Sequence, residues 1–132
     1  MIKNHGVVVL IRHDKKFLLL KDSRELMLDH WAPPHGRCDE SDENEKATVV
    51  RETFEETNLQ VIPLKKIWEA KADTKVKTVA FWLAEVISGE IKIDEQESSE
   101  YGWFTLDEAL ALKLYPGTKK FFVLVKQGDI TI

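Results

Sequence analysis

Apolar residues fall along this chain in short continuous runs separated by polar clusters, a pattern that predicts buried strands. Gly6-Val7-Val8-Val9-Leu10-Ile11 and Phe17-Leu18-Leu19-Leu20 read as two such strands, with His13-Asp14-Lys15-Lys16 as the polar turn between them. Residues 22–29 read as a loop. His30-Trp31-Ala32-Pro33-Pro34-His35-Gly36 carries two prolines and a glycine, which exclude helix and central strand and leave a rigid extended segment. A helix is predicted from Asp42, paired with Glu45 as N-cap and N3, to about Thr57, where Asn58 stops it. Strands are expected over residues 61–70 and 76–86, joined by a polar turn at Asp73-Thr74. Shorter strands are expected at Glu90-Ile91-Lys92-Ile93 and Tyr101-Gly102-Trp103-Phe104. Thr105-Leu106-Asp107-Glu108 is a second capping box, opening a short helix to about Leu112, and a last helix is predicted over residues 118–126. The sum is an α+β fold with a mixed sheet, one central helix and one or two terminal ones, in a single domain over residues 1–132.

Composition narrows the function classes without altering this outline. Hydrophobic residues make up 43% of the chain and charged ones 32%, ordinary for a soluble domain. No apolar run approaches the ~20 residues that span a bilayer, and the N-terminal residues carry no signal-peptide pattern, so no membrane association is expected. Cys38 is the only cysteine, which rules out an internal disulfide and suits the cytoplasm. The formal net charge of −4 and the lack of a basic stretch argue against duplex nucleic acid as a partner. An acidic chain still binds polyphosphate if a divalent cation lies between the two.

The central helix carries the candidate chemistry. With Glu52 at the origin of a helical wheel, Glu56 lies near about +40° and Glu55 near about −60°, so the three share one arc. Ala47, Val50 and Phe54 fall on the opposite side, which the pattern assigns to the core. Three carboxylates on one arc suit either a solvated acidic face or a site for a hard divalent cation. Exposed like charges cost only ~0.2–0.5 kcal/mol per pair, so energetics alone does not decide between them.

The surrounding residues do. Gly36, Glu43 and Arg51-Glu52-Thr53-Phe54-Glu55-Glu56-Thr57-Asn58-Leu59 resemble the signature of the Nudix hydrolases, G-x5-E-x7-R-E-U-x-E-E-x-G-U, with U aliphatic. Three features depart: one extra residue precedes Glu43, Thr53 takes an aliphatic position, and Asn58 replaces the glycine. Asn tolerates the left-handed conformation at a helix end, so the last departure is mild. Within that family the chain is most similar to the asymmetrical diadenosine tetraphosphate hydrolases, through residues 30–36, residues 77–86 and Glu97 ahead of Trp103.

The resemblance implies an α/β/α sandwich, dependence on Mg2+ (or Mn2+), and cleavage of the tetraphosphate to ATP and AMP. It implies that Glu52, Glu55, Glu56 and Glu97, with the carbonyl of His35, hold the metal. Glu52 or Glu97 would be the general base, with Glu95 or Glu100 as alternatives to Glu97. Arg51 would brace the motif against Glu43 or a backbone carbonyl, and Gly36 would be structural. His30, His35, Lys77 and Tyr115 are the expected substrate contacts, though His30 also fits a loop histidine. Lys71, Lys75 and Lys77 also fit a solvated hairpin. His35 stands where those enzymes have a lysine, and Ala70 where they have a tyrosine, for which Trp68 is a candidate substitute. The open alternatives are another nucleoside-diphosphate-linked or capped-RNA substrate, or a non-catalytic nucleotide-binding protein. A monomer is expected.

Overall fold

The first apolar run has no polar face because it has no wet face. In the computed structural model, which describes residues 4–72 and 76–132, strand β1 (His5–His13) sends Val7, Val9 and Ile11 into one core and Val8 and Leu10 into another. The chain reverses through Asp14 (φ 49°) and Lys15 (φ 66°), two left-handed residues of a tight hairpin, into β2 (Lys16–Asp22). A 3-10 turn over Glu25–Met27 and two short strands, β3 (Trp31–Ala32) and β4 (His35–Arg37), follow. After helix α1 (Glu45–Thr57) come β5 (Gln60–Lys71), β6 (Thr78–Ser88) and β7 (Ser98–Phe104), then helices α2 (Leu106–Leu110) and α3 (Pro116–Lys126).

The main sheet runs β3-β2-β1-β6-β5, with β4 paired to β1 and β7 to β2. Only the β1–β6 pairing is parallel among the ladders described, so the sheet is mixed as expected. On one side α1 lays Val49 onto Val7, Val9, Leu18, Ala80 and Trp82. On the other, α3 lays Phe121 and Phe122 onto Leu10, Phe17, Leu19 and Phe81, with the Phe81 and Phe121 rings stacked 4.4 Å apart. Each fully buried side chain of that size contributes about 1.5–3 kcal/mol. The layers form the expected α/β/α sandwich.

Several local expectations change. Pro33 and Pro34 lie between β3 and β4, so neither is asked to donate to a ladder, and Pro34 instead accepts from Val9 N at 2.8 Å. Residues 90–93 form no strand; Lys92 N bonds the Thr57 carbonyl, tying this loop to the end of α1. α3 begins at Pro116, because a proline at the first helical position loses no hydrogen bond. The turn expected at Asp73-Thr74 lies outside the described residues.

The packed face of α1 is the main correction. Val50 is 40% and Phe54 48% exposed, while Thr48, Val49, Thr53, Glu56 and Thr57 are buried. Threonine lies inward cheaply here because a helix can absorb its hydroxyl: Thr57 Oγ1 donates to the Thr53 carbonyl at 2.6 Å. The cap also moves. Asn44, not Asp42, accepts from Ala47 N at 2.9 Å. The other end is as expected, with Asn58 at φ 66° and its N–H on the Phe54 carbonyl.

Candidate active site

Glu52 and Glu56 reach a common pocket because β4 crosses close above α1. A Cβ on Gly36 would stand 2.0 Å from Cδ of Glu52, so only glycine lets that carboxyl pass. One turn along, Glu56 is 7% exposed, and its Oε2 accepts from the backbone N–H of His35 at 2.9 Å. Glu97 approaches from the loop before β7. That loop is stitched to the segment after β2 by Ser23 N on the Glu97 carbonyl, 2.9 Å. Glu52, Glu56 and Glu97 line one pocket of about 600 Å³, together with Gly36, His35, Asp22, Arg24 and Tyr115. Its far wall is formed by Trp68, Ala70, Val79 and Phe81, with Lys71 and Lys120 also lining it.

The three acids are held above the ordinary carboxylate range. For Glu52, burial is the main cause, opposed by Arg51 and reinforced by the charges of Glu55 and Glu97. Burial also pushes Glu56 well up, with the charges of Glu52 and Glu97 adding to it. Glu97 is raised by burial and by Asp94, against the pull of Arg24. Carboxylates that raise one another in a cleft create a demand for positive charge, and an all-oxygen donor set suits a hard divalent cation. The residues fit the metal that the signature implies.

The remaining expected site residues divide. Glu55 lies outside this wall: its side chain is 54% exposed and takes Arg51 Nη1 at 3.2 Å. Arg51 donates to the Arg37 carbonyl at 2.9 Å, and the acid it holds through two nitrogens is Asp42 rather than Glu43. Nε and Nη2 of Arg51 grip both oxygens of Asp42 at 3.0 and 2.8 Å, and the pair holds Asp42 down at about 2. Glu43 is exposed and takes no described hydrogen bond, because its neighbour at 42 already fills the position under Arg51.

The imidazole of His35 faces Tyr115 edge-on at 5.0 Å and bonds the Pro33 carbonyl through Nδ1. Burial pushes it below its ordinary value, so it is a neutral group in the pocket wall and does not replace a lysine's charge. Tyr115 lines the pocket but is only 9% exposed, its hydroxyl donated to Asp22. That leaves little of the ring for stacking. His30 bonds the Leu28 carbonyl, meets Tyr115 edge-on at 6.3 Å and is not among the lining residues. Lys77 is exposed and is not among the lining residues, whereas Lys71 and Lys120 are; Lys75 lies outside the described residues. Trp68 packs on Phe81 and Phe121 and lines the pocket together with Ala70.

Asp22 and Arg24 were not expected from sequence. The β2–β7 ladder shifts register between Lys21 and Asp22, and a bulge re-aims the side chain that follows it. Asp22 is thereby buried, 5% exposed, where it meets Tyr115 from the other end of the chain. A polar loop gives no sign of such a partner.

Away from this site, His5, Glu45 and Glu69 also bring ligand atoms together. There Lys66 Nζ already stands 3.2 Å from Glu45 and 2.6 Å from Glu69, so an ammonium fills the place of a cation.

A family model described as the NUDIX domain matches residues 3–125. The bis(5'-nucleosyl)-tetraphosphatase [asymmetrical] of Rattus norvegicus is 38% identical over 129 residues, covering 86% of each chain. The crystal structure of the MutT protein from Methanosarcina mazei Go1 superposes with a TM-score of 0.76 at 27% identity, covering 95% of this chain and 94% of that one. A C. elegans Ap4A hydrolase binary complex superposes with a TM-score of 0.71 at 24% identity, covering 94% and 96%.

Proposed function

The chain belongs to the NUDIX-domain family, and on that premise we propose that it is a divalent-metal-dependent pyrophosphohydrolase that cleaves diadenosine tetraphosphate asymmetrically to ATP and AMP. The observation that carries this reading is the convergence of Glu52, Glu56 and Glu97, all raised by burial, on one pocket. Its volume, about 600 Å³, lies within the range of small-molecule sites.

Glu52, Glu56 and Glu97, with the His35 carbonyl, would hold Mg2+ or Mn2+, and Glu55 would join them by turning from Arg51. When bound, the metal would neutralise charge on the attacking water and on the leaving phosphate oxygen. The protein's own part is to place water in line with one phosphorus and to take its proton on Glu52 or Glu97. Glu56, fixed by the His35 N–H, keeps the arrangement in register. Trp68 and the apolar wall beside Ala70 and Phe81 offer a surface for one nucleoside. Among the described residues no helix is long and apolar enough to cross a membrane, and the reading takes residues 1–132 as one cytoplasmic, monomeric Nudix domain.

The test is hydrolysis of diadenosine tetraphosphate by the purified protein, with products separated by chromatography. ATP and AMP should appear in equal amounts, only with Mg2+ or Mn2+, and chelation should stop the reaction. Glu56→Gln should lower turnover by at least ~10–100-fold, the scale of even indirect damage to a metal site. Two ADP per substrate, or no turnover, would overturn the assignment.

A further inference from the structure

We propose that Arg24 is a substrate-binding residue whose guanidinium grips anionic oxygens of the polyphosphate; this rests on the function proposed above. Arg24 lines the pocket that holds Glu52, Glu56 and Glu97. Its orientation is fixed by a buried group: Nε and Nη2 meet the two oxygens of Asp22, each at 3.0 Å, in a bidentate fork. Asp22 is fixed in turn, by the Arg24 backbone N–H at 2.8 Å and by the hydroxyl of Tyr115 just before α3.

A count of donors shows what remains. A guanidinium has five N–H groups. One is spent on Nε and one on Nη2 toward Asp22, and the second on Nη2 points toward the Tyr115 hydroxyl at 3.5 Å. Nη1 keeps two, of which one goes to Glu97 Oε1 at 2.9 Å. The other has no partner among the described residues, and the Glu97 contact is released if that carboxylate turns to a metal. Arg24 therefore lines the pocket, its side chain 45% exposed, with one N–H of Nη1 uncommitted among the described residues.

A mere neutraliser of Glu97 would need no buried carboxylate to aim it. Burying Asp22 costs desolvation, and the fork with Arg24 repays it only in this one orientation. A highly charged anion entering among Glu52, Glu56, Glu97 and Asp22 needs such a donor, and a planar fork matches phosphate geometry.

The probe is magnesium tripolyphosphate, titrated calorimetrically into wild type, Arg24→Lys and Arg24→Gln, with thermal unfolding measured on each. Arg24→Gln should bind roughly 10–100-fold more weakly, the scale of a lost charge-assisted pair, and its melting temperature should fall as well, because buried Asp22 loses its partner. Arg24→Lys should recover only part, because an ammonium cannot span Asp22 and the ligand together. Should Arg24→Gln fail to fold, Arg24→Lys alone decides. Wild-type affinity in the folded variants, or no binding by wild type, would overturn the assignment of Arg24. Diadenosine tetraphosphate is assayed separately on the same wild-type sample, so a wrong substrate and a wrong role for Arg24 give different results.

Discussion

A Cβ on Gly36 would lie 2.0 Å from Cδ and Oε2 of Glu52 and 2.4 Å from its Cγ, well inside any van der Waals contact. The glycine is required by close approach and not by backbone conformation, since its φ is not positive. Gly36→Ala should therefore fold, because the atoms it strikes belong to a side chain that can rotate. It should also expel the Glu52 carboxyl from the pocket, costing roughly tenfold or more in both turnover and magnesium affinity. Unchanged magnesium affinity in a folded Gly36→Ala protein would show that Glu52 is not needed where it sits. Single residues were legible from sequence when one motif fixed them, as with Gly36, Glu52 and Glu56. They were not when the role depended on a distant partner. Tyr115 fell at an expected stacking position, yet its hydroxyl is committed to Asp22, 93 residues away. Lys120 lines the pocket from a helix whose sequence reads only as amphipathic.

Among the elements, the β1–β2 hairpin, the Thr105–Glu108 capping box and the Asn58 stop of α1 follow from short-range rules and stand as expected. The face of α1 does not, because hydropathy ranks Val50 and Phe54 above Thr48, Thr53 and Thr57, whereas close approach to the sheet favours the smaller residues. Thr53 illustrates the compromise: fully buried, its hydroxyl has no hydrogen-bond partner among the described residues. The start of α1 departs from the sequence expectation for a related reason. Both Asp42 and Asn44 are good cap residues, and sequence alone could not show that Asp42 lies beneath Arg51 and Thr48. The two now make opposite predictions. Asn44→Ala should cost about 0.5–2 kcal/mol of stability with turnover preserved, as for a lost cap. Asp42→Asn should reduce turnover several-fold, because Arg51 loses its anchor and with it the restraint on Glu52, 2.7 Å from Nη1. Unfolding curves and steady-state rates on both variants check this, and equal effects on turnover would refute the division of labour.

The whole molecule places its charge problem at one end of a sandwich whose two cores are otherwise apolar. That arrangement gives a pH dependence with a definite sign. Glu52, Glu56 and Glu97 are all raised above the ordinary value of 4.5, chiefly by burial. Below about 4.5 these groups are protonated in the folded and unfolded chains alike, and their contribution to stability is fully present. As pH rises further the unfolded chain releases its protons while the folded one retains them, so stability is lost through the folded-state values. Asp22 and Asp42 act the other way from the ordinary value of 3.8: they are held low by Arg24 and Arg51, and their contribution is lost as pH falls. In the presence of a chelator, stability should thus decline from mildly acidic to neutral pH. A bound divalent cation favours the ionised acids and should flatten or reverse that decline. Glu56→Gln isolates the largest contributor, since the amide occupies the same space and never ionises. Relative to wild type, the chelated variant should gain about 1–3 kcal/mol between about pH 4.5 and about pH 8, the scale of an uncompensated buried polar group. The gain should vanish when magnesium is added, because wild type then recovers a ligand that the variant lacks. Denaturant unfolding at the two pH values, with and without magnesium, measures all four numbers, and a wild-type-to-variant gap that ignores both pH and metal would remove Glu56 from the charge cluster.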